Sequence, residues 1–413
     1  MKLSEKDYKW NFFVNSIDMA FFNVGMTMAS ISTLLPLYIK NLGGTNFEIG
    51  LVPAIANLGW GLPALIGARY AERYPRKLDL VLRVTAGERL PYFFMALTSF
   101  FIAGLNQKLA IYLVLLLLAV ATFSMGFLGP PWMSMIEKVI DPKQRGTVFA
   151  MGSGLGAIAS IGGSAIARYL LQRYGFPYNF GYCFLYASLA FGLSFIFLCL
   201  NREPPDEVKI ESHKRFSEYI AAIKDILRDT NYRNYIIERA ITVFGLSSNA
   251  FVAVYITGKL SIPDYRAAEF TAVLMVSQAV SSFLLGPLGD KNGHKISLAI
   301  GKVAQIAATI ILLFHTNLFL AYFVFVFLGI VNSSGNVSSL ALTIDLVSGK
   351  RKELYVGIQN FILSPVSFVA PLICGFVADR FGYELLFVFS LILTTASLAF
   401  LAVFVVDPRR SLK

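Results

Sequence analysis

Runs of apolar residues close to twenty long recur along this chain with few charges inside them, and they strongly restrict what it can fold into. A helix rises about 1.5 Å per residue, so about 20 apolar residues cross the hydrocarbon core of a bilayer. Helices buried in a water-soluble core usually show apolar stretches of only about 10–14 residues. Hydrophobic residues make up 56% of the sequence and charged residues 15%. The expectation is therefore an all-α polytopic membrane protein. Twelve spans can be laid down, at 13–39, 48–68, 79–104, 109–136, 147–170 and 178–200, then 233–257, 267–288, 296–315, 317–345, 354–377 and 383–405.

Most gaps between spans are short. The exception, 201–232, holds Pro204-Pro205 and a stretch in which Phe216, Ile220, Ile223 and Leu227 share one helical face. It reads as a cytoplasmic linker with an amphipathic helix lying along the membrane surface. On this reading 1–200 and 233–413 are two six-helix bundles. The segment before the first span lacks the clean apolar core and small-residue site of a cleaved signal peptide, so a retained span is expected.

The net charge of +11 could suggest nucleic acid, but its placement argues against that. With the N-terminus inside, the far-side basic residues are few: Lys40, Lys108, Arg168, Arg173, Lys259, Arg266 and Arg380. That bias places both termini in the cytoplasm. Cys183, Cys199 and Cys374 each lie in an apolar run without CxxC spacing, so neither a disulfide framework nor a metal site is expected. No cofactor is expected either. There is no HExxH or GxSxG motif and there are only 3 histidines, so the chain does not read as an enzyme.

The two halves repeat each other. Gly286-Pro287-Leu288-Gly289-Asp290-Lys291-Asn292-Gly293-His294-Lys295 forms a tight charged turn between two apolar runs. A looser copy, Ala68-Arg69-Tyr70-Ala71-Glu72-Arg73-Tyr74-Pro75-Arg76-Lys77, lies 218 residues earlier, with Glu72 answering Asp290 and Arg73 answering Lys291. Arg76 and Lys77 answer His294 and Lys295. Gln172-Arg173-Tyr174-Gly175 likewise answers Asp379-Arg380-Phe381-Gly382, 207 residues apart. Parallel halves with a site near the midplane are a transporter architecture.

These motifs resemble those of the major facilitator superfamily across essentially the whole chain. Gly286, Asp290, Lys291, Gly293 and Lys295 look like its signature loop between the second and third helices of a half. In the first copy Ala68, Glu72 and Pro75 depart from it. Two further departures matter. Ile158-Ala159 stand where drug antiporters carry Gly-Pro in their fifth helix, and Thr122 stands where many carry a helix 4 arginine. The resemblance implies two pseudo-symmetric bundles and gating by the loop acids, with Asp290 near the start of the fifth helix and Glu72 near the start of the eleventh.

The resemblance also implies that the first, fourth, seventh and tenth helices line a cavity. Their polar residues recur at helical spacing, which puts Asn15, Asp18 and Phe22, then Glu238, Thr242 and Asn249, then Asn332, Asn336 and Ser339 on single faces. Arg239 joins them as a cavity candidate. Ionisable residues at membrane depth need partners or water. Asp18 and Glu238, on cavity helices, are the expected proton carriers, while Glu88 and Arg89 read as structural and Lys302 as paired or snorkelling. The leading expectation is a monomeric secondary transporter in the cell's plasma membrane, exporting a small organic solute in exchange for protons. The alternatives are proton-coupled uptake or facilitated diffusion of a polar metabolite such as a sugar, and, in another class, a membrane receptor or polytopic enzyme.

Overall fold

The structure is a computed structural model and describes residues 3–142, 144–206, 226–314, 317–347 and 352–411. The amphipathic stretch expected at 216–227 lies, except for its last two residues, outside them. Every regular element among the described residues is helical. The chain separates into unit 1, Met1–Glu211 with Pro263–Ala272, and unit 2, Ser212–Ile262 with Val273–Lys413.

In the first half the helices are α1 (Glu5–Met28), α2 (Leu34–Asn41), α3 (Asn46–Gly61), α4 (Ala64–Glu72), α5 (Lys77–Leu97), α6 (Gln107–Val139), α7 (Arg145–Arg173) and α8 (Tyr178–Cys199). The second half holds α9 (Thr230–Leu246), α10 (Val252–Lys259), α11 (Tyr265–Asn292), α12 (His294–Phe314), α13 (Leu318–Asp345), α14 (Lys352–Phe404) and the short α15 (Pro408–Ser411).

Local chemistry explains where these helices start and break. Ser4 and Asp7 form a capping box at the start of α1, and Thr45 and Glu48 form another at α3; each satisfies backbone N–H groups that have no partner within the helix. The first span, expected to be continuous over 13–39, is broken at 29–33. Pro36 has no N–H to donate and its ring would clash with the carbonyl four residues back, so the helix restarts at Leu34 with Pro36 in its first turn. The third span ends in a π-helical turn, Thr98–Ile102. The seventh is interrupted by a 3₁₀ turn, Ser247–Phe251, between α9 and α10. The spans expected at 354–377 and 383–405 both lie in α14, which turns at Gly382, where φ is 85° and ψ is 168°. That is a region open to glycine.

Nine helical stretches among the described residues are long and apolar enough to cross a membrane, and the one from Tyr355 to Phe404 contains two of the expected spans. Helices α1 and α5 fall below that apolarity for a visible reason. Asn11, Asn15, Asp18 and Asn23 interrupt α1, and Arg83, Glu88 and Arg89 interrupt α5. The helices least like lipid solutes are therefore the ones to search for function.

The two units repeat one packing scheme. In unit 1, α1 packs on α7 and α8, α5 packs on α6 and α8, and α3 and α4 pack on α6. In unit 2, α9 and α12 pack on α14, and α12 packs on α13. The α3–α6 crossing is close enough that a Cβ at Gly126 would lie 2.0 Å from the Gly59 carbonyl oxygen. Small residues permit this backbone-to-backbone approach, which sets how near α6 comes to its neighbours.

Candidate functional site

The signature turn in unit 2 is built around an acid that the sequence motif does not include. Asp407, just past α14, accepts a hydrogen bond from the Lys295 backbone N–H at 3.1 Å. A Cβ at Gly293, where φ is 93°, would sit 2.1 Å from Asp407 Oδ2. Glycine is therefore required there twice over, for the backbone angle and for the space. Lys295 sends its ammonium to the Ala402 and Val405 carbonyls at 2.9 and 2.6 Å, capping the end of α14. His294 is buried, with Nδ1 3.3 Å from Ser338 Oγ.

Asp290 itself is exposed, as is Lys291. Within unit 2 its carboxylate lies 3.3 Å from Arg409 Nη1 and 3.4 Å from His294 Nε2, and Arg409 also reaches Asp345 at 2.6 Å. Gly286 has open space, its nearest neighbour being Val337 at 3.9 Å from a notional Cβ.

The first-half copy uses the same device. Glu203, just past α8, accepts from the Lys77 and Leu78 backbone N–H groups at 2.9 and 2.6 Å, capping α5. Lys138 pairs with it at 3.1 Å. Lys77 places its ammonium on the Ala71 and Tyr74 carbonyls at 2.6 and 2.8 Å, closing the end of α4 as Lys295 closes α14. Glu72 lies within electrostatic reach of Lys77, Arg73 stands over the Tyr70 ring at 5.3 Å, and Arg76 occupies the N-cap of α5. Sequence reasoning missed Glu203 and Asp407. A signal was present: Glu203-Pro204 and Asp407-Pro408 are acid–proline pairs 204 residues apart.

Inside unit 1 a cavity of about 240 Å³ lies among α1, α5, α6 and α8. Met19, Phe22, Met125, Leu128 and Trp132 form much of its wall, and Asp18, Glu88 and Arg89 supply its charge. Arg89 donates from Nη1 to Glu88 at 2.9 Å and from Nη2 to Ser194 Oγ at 3.0 Å. Ser194 donates in turn to Asp18 Oδ1 at 2.5 Å, and the Arg89–Asp18 separation is 3.6 Å. Thr85 donates to Glu88 at 2.9 Å. The guanidinium also stands over the Phe22 ring, 5.6 Å from its centroid, a cation–π arrangement. All three ionisable groups are at least nine-tenths buried, and Arg89 Nε has no hydrogen-bond partner. The sequence reading separated Asp18 from Glu88 and Arg89; the packing of α1 on α8 and of α5 on α8 brings them into one cluster.

Unit 2 holds a second ionic cluster, of different make. Glu238 Oε1 is 2.6 Å from Lys302 Nζ and accepts from Thr242 and Ser397 at 2.6 and 2.8 Å. Lys302 also donates to Thr242 at 2.6 Å. Lys302 is thus paired rather than extended towards the interface. Arg239 is half-buried and adds a second positive charge near this pair.

The remaining candidates are dispersed. Asn15 donates to the Asn11 carbonyl and to Asn201 Oδ1 at 2.7 and 2.6 Å, tying α1 to the chain after α8 and leaving the cavity wall to Asp18 and Phe22. Asn249 and Gln305 exchange amide hydrogen bonds at 3.0 and 2.7 Å. Ser339 accepts from the Tyr235 hydroxyl at its carbonyl, 2.9 Å away. Asn332 is half-buried and Asn336 exposed on α13. Among the described residues no group of histidine, cysteine and carboxylate side chains could hold a metal ion.

The chain is 28% identical over 306 residues to the "Multi-drug resistance efflux pump PmrA homolog" of Lactococcus lactis subsp. lactis (strain IL1403), covering 72% of this chain and 70% of that one. Its fold matches a point mutant of the nucleoside transporter NupG with a TM-score of 0.73 at 12% identity, over 94% of this chain and 100% of that one. It also matches an inward-facing, unoccupied bacterial homolog of the human lysosomal transporter Spinster, with a TM-score of 0.68 at 15% identity, over 97% and 96% of the two chains. At such identities the structural matches speak for the fold alone. The family model of the Major Facilitator Superfamily matches residues 17–265 and 239–413, two overlapping matches that together span nearly the whole chain. The chain is a multi-pass membrane protein and belongs to the Major Facilitator Superfamily of secondary transporters.

Proposed function

We propose that this transporter exports a small, largely apolar organic solute by alternating access, in exchange for protons. The observation that carries the reading is the unit 1 cavity, whose aromatic and thioether wall surrounds two carboxylates and one arginine. Apolar walls with a few placed charges suit a small organic solute, and buried carboxylates suit proton exchange. The efflux-pump relative agrees in direction. In this reading Asp290 and Glu72 act as loop latches at the ends of neighbouring helices, both termini are cytoplasmic, and the monomer works in the plasma membrane.

The test is dye flux in everted vesicles, using a lipophilic fluorescent dye and an imposed pH gradient. Export predicts gradient-dependent accumulation of dye inside the vesicles and its collapse on adding a protonophore. Asn332 and Asn336, one turn apart on α13 with Asn336 exposed, favour a second reading, uptake of a polar metabolite such as a sugar. Radiolabelled sugar entering right-side-out vesicles, with no dye accumulation in everted ones, would replace export by uptake.

A further inference from the structure

We infer that the unit 1 cavity is a site for one exchangeable proton, held jointly by Asp18 and Glu88 across Arg89, and that the Glu238–Lys302 pair of unit 2 holds none. The inference builds on the proton coupling proposed above, but proton occupancy is an equilibrium property and can be read without transport.

The argument is a local charge count. Helix α1 presents Asp18 to the cavity, and α5 presents Glu88 and Arg89, with Tyr92 one turn further along. Helix α8 contributes the Ser194 hydroxyl and, at its end, Cys199. The α6 wall is Met125, Leu128, Gly129 and Trp132, and α7 meets α1 there through Gly152 and Gly156, close to Met19 and Asn23. Arginine stays charged in proteins. One permanent positive charge therefore faces two carboxylates, and with both ionised the cavity holds a surplus negative charge away from bulk water. The guanidinium fork serves both acids, one through Nη1 and the other through Nη2 and Ser194. Two carboxylates sharing one counter-charge favour retention of a single proton between them. Its uptake forms one O–H bond on Asp18 or Glu88, its release returns it to solution, and no other bond changes.

The unit 2 cluster lacks this surplus. One carboxylate faces Lys302 directly and Arg239 nearby, so its balance is already positive. The residue before Lys302 is Gly301, where a Cβ would lie 1.8 Å from Ser334 Oγ, so an acid does not fit beside Lys302 at that position. Each unit thus carries an acid, a basic residue and a serine, but among the described residues only the unit 1 cluster brings a second carboxylate to the basic side chain.

Infrared difference spectroscopy on the purified full-length protein in lipid tests this, stepping from mildly alkaline to mildly acid buffer in H₂O and in D₂O. Wild type should gain a carboxyl C=O band that shifts in D₂O. Glu88→Gln and Asp18→Asn should each abolish it, because the remaining carboxylate is then balanced by Arg89. Glu88→Asp should keep it at a shifted frequency, and Glu238→Gln should leave it unchanged. Size-exclusion profiles show whether each variant is folded; should Asp18→Asn not fold, Glu88→Gln and Glu88→Asp still decide the question. A band that persists in Glu88→Gln, or that disappears only in Glu238→Gln, overturns the assignment. If no band forms at any pH, and tetraphenylphosphonium stabilises wild type but not Glu88→Gln, the site holds an organic cation instead and the proton assignment falls.

Discussion

Replacing Glu238 by glutamine should destabilise the protein far more than replacing Glu238 and Lys302 together. The pair is 2.6 Å apart, with Glu238 fully buried and Lys302 4% exposed. Removing one member of a buried ion pair leaves the other charged without compensation, at a cost of about 3–5 kcal/mol. Lys302 would keep Thr242, at 2.6 Å, as a hydrogen-bond partner, but a neutral amide does not balance its charge. For a cooperative unit of about 200 residues each kcal/mol lowers Tm by about 2–4 °C, so the single variant should melt about 6–20 °C below wild type. The double variant Glu238→Met/Lys302→Met removes both charges while keeping the volume, and such replacements are neutral or stabilising by about 1–4 kcal/mol. Thr242 and Ser397 would still hold each other at 2.6 Å. Fluorescence-monitored melting of wild type, both single variants and the double gives the coupling through a double-mutant cycle. A single variant within about 2 °C of wild type, or a double variant below either single, would refute the argument that this buried pair is a closed ionic tie.

Other outcomes follow from the same geometry. Gly126→Ala should lose about 1–3 kcal/mol through overpacking against the Gly59 and Trp60 carbonyls, whereas Gly129→Ala, with nothing within 4 Å, should melt like wild type. Gly293→Ala should destabilise by at least about 1–2 kcal/mol from the left-handed backbone alone, before Asp407 is displaced. Glu203→Gln removes a charged acceptor from two backbone N–H groups and should cost about 1.5–3 kcal/mol in the same melting assay. Asp7 carries a pH-dependent contribution: hydrogen bonding from Ser4 and then Arg202 holds its carboxyl at about 2 rather than the ordinary 3.8. A depressed carboxyl stabilises the fold above the ordinary value and loses that contribution as pH falls through the depressed one. The Tm gap between wild type and Asp7→Asn should therefore narrow over that acid interval; a gap that widens on acidification contradicts the assignment.

Much of the fold was legible because a bilayer imposes a simple rule on sequence: about 20 apolar residues per crossing. What apolarity could not reveal was the internal irregularity of the spans. The break at 29–33 follows from Pro36, a residue visible in the sequence, but an apolar window averages over it. The turn at Gly382 was read correctly as a boundary, although the helix resumes so promptly that α14 runs through it. The surface helix expected near Phe216 lies in the undescribed stretch.

The site was legible only in part, because hydropathy and motif spacing report on one helix at a time, whereas charge balance is set by three. Glu88 and Arg89 are adjacent in sequence and read as structural, apart from Asp18. In the fold Arg89 spends one arm of its fork on Glu88 and the other on Ser194, which is bonded to Asp18. In unit 2 the ammonium of Lys302 stands against one carboxylate, Glu238. The planar two-armed donor allows two acids to share one counter-charge. Duplication supplied two similar frameworks, and two acids on one arginine in unit 1, against one acid beside Lys302 and Arg239 in unit 2, set their charge apart. The loops mark the family, and the charge of the two buried clusters is what tells the halves apart.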